Sequence, residues 1–174
     1  MKICLISGSL SENSRSRQMV KYVQSVIEKE GVETSYIDLR DVKMDFCDGR
    51  KESYGEDIEN AKKIMDEADS ILFGYGVYCY SIPASLKNFV DIAFPSMSKL
   101  FGQIIAAGGA NSFLAHEHFS QILKNETHAP PYPGVIYADY PTYPGGEFTN
   151  EKFNARIDKY VKGFIEMTGK LADQ

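Results

Sequence analysis

The feature that most constrains the fold of this chain is a regular alternation of short apolar runs with longer amphipathic stretches. A run of β-branched and aliphatic residues between polar flanks is typical of a buried strand, whereas apolar residues spaced three and four apart predict a helix. The runs predicted as strands cover residues 2–7, 31–39, 69–78, 102–110 and 134–140. The stretches predicted as helices cover residues 14–29, 56–68, 83–94, 111–125 and 150–171.

Five consecutive strand–helix units predict an α/β fold, with one domain over residues 1–174 and a five-stranded parallel sheet. Right-handed crossovers place helices on both faces of such a sheet, which gives a three-layer sandwich. With five strands we expect the flavodoxin-like order 2-1-3-4-5, in which a ligand crevice opens at the carboxyl ends of strands 1 and 3.

Composition and charge limit the expected partners. The net charge of -5, without a basic stripe, argues against nucleic acid. No apolar run approaches the roughly 18–20 residues that cross a bilayer, and Met1 leads directly into a predicted strand rather than a signal peptide. We therefore expect no membrane partner. Cys4, Cys47 and Cys79 form an odd set without a paired framework, which favours a reducing cytoplasm and shows no metal-ligand spacing.

The stretch "GSLSENSRSR" begins at Gly8, directly after the first predicted strand. A helix that starts near Ser14 would expose unpaired N–H groups and a partial positive charge, and both favour an anion. The side chains that could add donors or charge are Ser9, Ser11, Ser14, Ser16 and either Arg15 or Arg17. Neither Gly-x-x-x-x-Gly-Lys nor Gly-x-Gly-x-x-Gly is present, so a single terminal phosphate suits the loop better than a pyrophosphate. Alternatively, Asn13 or Ser14 only caps the helix and the other serines are solvated.

Two further loops would meet the first one at the crevice. After strand 3, Tyr78 and Tyr80 suit a flat heteroaromatic ligand, although tyrosines are equally common in surface turns and dimer contacts. After strand 4, Gly108 and Gly109 would permit a close approach of the backbone to a ligand, or would simply form a tight turn.

Taken together, the three loops resemble those of the NADPH-dependent FMN reductases, flavodoxin-like flavoproteins that include quinone, azo-dye and chromate reductases. The family pattern Gly-Ser-x-Arg-x-x-Ser-x-Asn aligns with residues 8–16. The pattern Pro-Glu-Tyr-Asn-x-Ser-x-Pro-x-x-Leu-Lys-Asn aligns with residues 76–88, and Asp91 completes its usual ending. Most of the specificity of the match lies between Tyr78 and Asp91.

The chain also departs from the family pattern. Ser11 stands in place of the arginine and Ser16 in place of the asparagine, so phosphate contacts would shift to Arg15 or Arg17. Gly76, Val77 and Cys79 replace the proline, glutamate and asparagine that shape the flavin pocket in the family. Of the motif residues on the predicted helix, we expect Leu86 to face the core and Asn88 to tie down the loop after strand 3.

The resemblance implies an FMN-dependent oxidoreductase that passes electrons from NADPH or NADH to a quinone, a flavin or another small acceptor. It also implies a homodimer or homotetramer. Because the flavin carries the chemistry, no catalytic side chain is expected. The residues implied to hold the phosphate are Ser9, Ser11, Ser14, Arg15 and Ser16. Those implied to surround the ring are Val77, Tyr78, Cys79, Tyr80, Ser81, Gly108 and Gly109.

Two alternatives remain open from the sequence. One is an electron carrier of the flavodoxin type, without its own reaction with NAD(P)H, although the Leu-Lys-Asn run after strand 3 favours a reductase. The other is a flavodoxin-like module that has lost its cofactor and acts through protein contacts, which the changes at Ser11, Ser16 and Val77 allow.

Overall fold

Strands and helices alternate throughout the part of the chain that the computed structural model describes, residues 1–50, 52–93 and 98–172. The strands are β1 (Lys2–Ser7), β2 (Glu33–Asp38), β3 (Ser70–Gly76), β4 (Leu100–Ala106) and β5 (Ile136–Ala138). The α-helices are α1 (Arg15–Lys29), α2 (Glu56–Asp66), α3 (Ala84–Ala93), α4 (Ala115–Thr127) and α5 (Glu151–Ala172). A short 3-10 helix, Ala110–Ser112, precedes α4.

The five strands form one parallel sheet in the order β2-β1-β3-β4-β5, which confirms the predicted fold class and strand order. β3 and β4 lie in the middle of the sheet and pair over seven residues each, from Ser70 with Leu100 to Gly76 with Ala106. Both are apolar along nearly their whole length because helices cover both faces of the sheet.

Each face of the sheet carries its own hydrophobic core. α1 and α5 pack on one face, where Val20 and Phe164 are fully buried. α2, α3 and α4 pack on the other face through residues such as Met65, Phe89 and Phe119. The structure therefore has three layers, with the carboxyl ends of all five strands at one edge. None of the described helices is long and apolar enough to cross a membrane.

Helix α1 lies against the sheet at Gly74 in β3 with no room for a side chain there. A Cβ added to Gly74 would lie 1.9 Å from Cγ2 of Val20, so only glycine lets the helix reach this position. This contact fixes the amino-terminal half of α1 against the two central strands, and it thereby fixes the loop that enters α1.

The boundaries after β4 differ from those predicted. The sequence predicted a strand over 102–110, whereas β4 begins at Leu100 and ends at Ala106. Its partner β5 ends at the same level, because Ala138, the last residue of β5, pairs with Ala106. Beyond this point no neighbouring strand remains to pair with, and the chain turns into the 3-10 helix, so α4 begins at Ala115 rather than at residue 111. The predicted extension of α3 to Phe94 lies outside the described residues.

Candidate functional site

A cavity of about 260 Å³ opens at the carboxyl edge of the sheet, at the crevice between β1 and β3 that the strand order predicts. Four loops contribute to it, those that follow β1, β3, β4 and β5. The residues that line it are Ser9, Ser11, Asn13, Ser14, Arg15, Ser16, Gly76, Val77, Tyr78, Ala106, Ala107, Gly108 and Tyr140.

The loop after β1 delivers the amino terminus of α1 to the cavity. Ser14 is the N-cap residue, and its Oγ accepts a hydrogen bond of 3.1 Å from the N–H of Arg17. This confirms that Ser14 caps the helix, and Asn13 lines the cavity instead. Among the described residues, the N–H groups of Arg15 and Ser16 have no hydrogen-bond acceptor, so they are available to a ligand in the cavity.

Buried hydroxyl groups surround this helix terminus. Ser9, Ser14 and Ser16 are 4%, 5% and 2% exposed. Oγ of Ser14 lies 3.0 Å from Oγ of Ser16, and that contact uses only one of the two hydroxyl hydrogens. The other hydrogen is left to donate to an acceptor in the cavity. The donor set of two hydroxyls and two helix N–H groups suits an anion such as a phosphate monoester.

Arg17 supports the loop from below instead of facing the cavity. Its guanidinium donates to the carbonyl oxygens of Ser9 and Ser11, the latter at 2.6 Å, and to the carboxylate of Asp38 at 2.7 Å. Burial alone would raise the pKa of Asp38, but hydrogen bonds from Arg40 and Arg17 hold that pKa below its ordinary value. The sequence indicated Arg15 and Arg17 as alternative phosphate ligands. The hydrogen bonds of Arg17 are made to the loop and to Asp38, so Arg17 stabilises the loop.

Arg15 lines the cavity, and it also joins three loops. Its Nη1 donates a hydrogen bond of 2.7 Å to the carbonyl oxygen of Tyr143, and its Nη2 donates to that of Ala107. The centre of the guanidinium lies 3.8 Å from the centroid of the Tyr140 ring. Arg15 therefore brings positive charge to the cavity while part of its donor capacity is used by protein carbonyls.

The loop after β3 forms a tight turn next to the cavity. Tyr78 and Ser81 exchange two backbone hydrogen bonds of 3.0 and 2.9 Å, and both residues between them have left-handed φ angles, 49° at Cys79 and 61° at Tyr80. This turn directs Tyr78 to the cavity together with Val77, whereas Cys79, Tyr80 and Ser81 do not line it.

The loop after β4 leaves space beside the cavity. Gly108 lines the cavity and Gly109 does not. Neither glycine has a left-handed φ, and a Cβ added to either would meet no atom within 4 Å, so the turn by itself does not require glycine. The open space at Gly108 leaves room for a ligand close to the backbone.

The predicted scaffold of the site is present. Leu86 is fully buried, and its Cβ lies 3.0 Å from where a Cβ of Gly8 would be. The side chain of Asn88 accepts a hydrogen bond of 2.8 Å from the N–H of Cys47 and donates one of 2.9 Å to the carbonyl of Asp45. The core-facing leucine is confirmed. Asn88 does tie down a loop, but it is the loop after β2 and not the loop after β3 that the sequence indicated.

Five residues that line the cavity were not among those expected to hold the cofactor, although three of them, Asn13, Gly76 and Ala107, belong to the loops expected at the crevice; the five are Asn13, Gly76, Ala106, Ala107 and Tyr140. For Tyr140 a signal existed, because it ends the fifth predicted strand and all parallel strands end at the same edge. Ala106 and Ala107 carry no polar side chain and gave no signal. Within the described residues, no group of three or more His, Cys, Asp or Glu side chains could hold a metal ion.

Comparison with known proteins assigns the chain to a family. Residues 1–141 match the sequence model of the NADPH-dependent FMN reductases. An NAD(P)H-dependent FAD/FMN reductase from Geobacillus thermodenitrificans is 28% identical over 145 residues, which is 79% of this chain and 77% of that protein. An NAD(P)H:quinone oxidoreductase from Solanum tuberosum is 28% identical over 129 residues, 70% of this chain and 66% of that protein.

A solved structure supports the fold independently. The flavoenzyme NAD(P)H:(acceptor) oxidoreductase from Paracoccus denitrificans superposes with a TM-score of 0.78 at 20% identity, covering 97% of each chain. The family match covers most of the chain, and it confirms the predicted family, enzyme class and FMN cofactor. This chain is a member of the NADPH-dependent FMN reductase family.

Proposed function

We propose that the chain is an FMN-dependent NAD(P)H oxidoreductase that passes electrons from a nicotinamide to a quinone, a flavin or another small acceptor. The observation that carries the proposal is the cavity at the crevice between β1 and β3. Its lining combines the free N–H groups and buried hydroxyls at the start of α1 with Val77 and Tyr78 from the loop after β3.

In this proposal the chain's own residues bind and orient the cofactor. Ser9, Ser11 and the pair Ser14 and Ser16 hold the phosphate through the hydroxyl hydrogens that remain free, together with the N–H groups at the start of α1. Arg15 adds positive charge, which offsets part of the phosphate charge. Ser11 stands where the family pattern has an arginine, and Arg15 already donates to two protein carbonyls. The phosphate is therefore held mainly by neutral donors.

The ring would lie between the loops that follow β3 and β4. Val77, Tyr78 and Gly108 line that side of the cavity. Cys79, Tyr80, Ser81 and Gly109 stand just beyond it, and we propose that they contact the exposed edge of the ring. When bound, FMN supplies the redox chemistry, taking two electrons from the nicotinamide and giving two to the acceptor. No side chain is therefore assigned as acid, base or nucleophile.

We also propose that the chain is a single domain that assembles as a homodimer or homotetramer. Large exposed hydrophobic side chains cluster on the loops around the cavity mouth, and such patches mark contact surfaces. They are Leu10, Tyr78, Tyr80, Phe113, Leu114 and Tyr140.

We place the protein in the cytoplasm. This proposal is supported by the three cysteines, all of which have free thiols. Cys4 is buried, and burial raises the pKa of its thiol to about 11.

The test begins with the absorption spectrum of the purified protein and with titration of FMN while its fluorescence is followed. We expect a flavin spectrum, quenching of FMN fluorescence on binding, and bleaching by NADPH or NADH without any added reductase. A colourless protein that leaves FMN fluorescence unchanged overturns the proposal. FMN binding without oxidation of NAD(P)H would instead identify an electron carrier.

A variant tests the phosphate end of the site. Ser11→Arg restores the charge that the family pattern has at this position, so we expect a lower dissociation constant for FMN. Gln121→Arg, on the exposed surface of α4, adds the same charge elsewhere and should not change it. If the two variants bind FMN equally, the phosphate does not lie in the loop after β1.

A further inference from the structure

The guanidinium of Arg15 lies at the junction of three walls of the cavity. It belongs to the first residue of α1, it donates to Ala107 in the loop after β4, and it donates to Tyr143 in the loop after β5 at 2.7 Å. A guanidinium group is planar and carries several N–H donors in fixed positions, so it can bind two carbonyl groups at once. The N–H of Ala107 donates to the carbonyl of Ala138 at 2.9 Å, which joins only the starts of these two loops, and Arg15 extends the connection to Tyr143.

The loop after β5 is fixed at a second point on the same helix face. Oη of Tyr143 donates a hydrogen bond of 2.7 Å to Oε1 of Gln18, and the N–H of Gly146 donates to the same atom at 2.9 Å. Within the loop, Asp139 accepts a hydrogen bond of 3.0 Å from the N–H of Thr142. Gln18 lies one turn after Arg15, so one face of α1 holds this loop at Tyr143 and at Gly146.

Tyr140 lies between the end of β5 at Ala138 and the anchor at Tyr143, and it lines the cavity while remaining 57% exposed. One face of the ring is taken by the guanidinium of Arg15 at 3.8 Å. A molecule in the cavity mouth therefore meets the opposite face or the edge of the ring. Aromatic surfaces at such a position favour flat aromatic ligands, because offset stacking and edge contacts add to the burial of apolar area.

We propose that Tyr140 determines specificity for flat aromatic electron acceptors, and that Arg15 is the positioning residue that holds its ring at the cavity mouth. This inference rests on the proposed function, because it concerns the acceptor that follows the nicotinamide in that reaction. It uses none of the residues on which the family resemblance depends, since Arg15 and Tyr140 both lie outside the two aligned patterns or at unspecified positions in them.

The kinetic test compares a planar quinone, 1,4-naphthoquinone, with ferricyanide, an acceptor that has no aromatic ring. Tyr140→Ala should raise the KM for the quinone by about two- to tenfold, the range expected for loss of an aromatic contact. It should leave the KM for ferricyanide unchanged. Tyr140→Phe keeps the ring and should behave like the wild type with both acceptors. Equal effects of Tyr140→Ala on both acceptors overturn the specificity role.

The positioning role of Arg15 is tested without activity, by hydrogen exchange of the protein without added cofactor. Arg15→Met should increase exchange in residues 107–109 and 139–143. A separate kinetic assay at saturating FMN should show a quinone KM raised as in Tyr140→Ala, with no further rise in the double variant. Arg156→Met is the matched control, because this arginine also lies over an aromatic ring, that of Phe153, but on α5 and away from the cavity. Unchanged exchange in Arg15→Met overturns the positioning role.

Titration of the wild type with FMN distinguishes failure of the proposed function from failure of the role of Tyr140. Failure of the wild type to bind FMN overturns the proposed function, and the specificity of Tyr140 with it. Normal FMN binding together with an unselective Tyr140→Ala variant overturns only the role of Tyr140.

Discussion

Nε of Arg17 donates a hydrogen bond of 2.7 Å to Oδ2 of Asp38, joining the start of α1 to the end of β2 beneath the cavity. The two side chains are only 10% and 4% exposed, and the same guanidinium binds the carbonyls of Ser9 and Ser11. A buried ion pair thus shapes the loop that we assign to the phosphate, without contacting the ligand itself.

Arg17→Met should cost about 3 kcal/mol of unfolding free energy, because it leaves a buried carboxylate with one partner fewer and frees two loop carbonyls. Denaturant unfolding measures this loss. Arg40→Met is the control, since Arg40 also binds Asp38 but is 38% exposed, and we expect a clearly smaller loss because solvent screens an exposed ion pair. Equal losses in the two variants would show that the buried contacts of Arg17 add nothing to stability.

The same carboxylate predicts a pH dependence. The pKa of folded Asp38 lies below its ordinary value of 3.8, so its contribution to stability is fully present above pH 3.8. The contribution is lost as the pH falls from that value through the lowered folded pKa. The difference in unfolding free energy between the wild type and Asp38→Asn should therefore be constant near neutral pH and shrink in acid. Urea unfolding at a series of pH values checks this, and a difference that grows in acid contradicts it.

Gly74→Ala should destabilise the protein by about 1–3 kcal/mol, because the new Cβ would lie 1.9 Å from Cγ2 of Val20. Adding Val20→Ala to this variant removes the clash, so the double variant should lose less than the sum of the two single losses. Gly169→Ala is a matched control in α5, where a Cβ meets nothing within 4 Å, and it should stabilise by about 0.5–1 kcal/mol. Additive losses at Gly74 and Val20 would contradict the clash.

The turn after β3 can be stabilised. Cys79 and Tyr80 both have left-handed φ angles, and asparagine adopts that conformation more readily than cysteine does. Cys79→Asn should raise the unfolding free energy by about 0.5–1 kcal/mol, whereas Cys79→Val should lower it because β-branched residues fit this conformation poorly. Thermal and denaturant unfolding of both variants measure the order, and the reverse order would contradict the prediction.

The proposed subunit contact predicts a change in assembly. Leu114 is 67% exposed beside the cavity mouth, and burying it in an interface is worth about 1.5–3 kcal/mol. Leu114→Glu should therefore weaken self-association about tenfold or more, as measured by light scattering or sedimentation. Leu171→Glu, near the end of α5, is the control and should assemble like the wild type. Unchanged assembly of Leu114→Glu places the contact elsewhere.

The sequence by itself determined the architecture of this protein. Near-continuous apolar runs such as the one from Ile3 to Ile6 alternate with helical spacing, and buried parallel strands joined by helices admit few topologies. It also located the helix terminus at Ser14 and the core-facing Leu86, because capping and core burial are local properties of a residue type at a position. The loop that Asn88 holds is 41 and 43 residues away at its two contacts, and only the fold brings it there.

Only the tertiary structure decided which side chains share the cavity and which support it. Arg15 and Arg17 are two residues apart and alike in chemistry, yet the turn of α1 sends one guanidinium to the cavity and buries the other on Asp38. Tyr140 reaches the site from the far end of the chain because parallel strands all end at one edge of the sheet. Such juxtapositions depend on long-range packing, and local spacing along the chain carries no record of them.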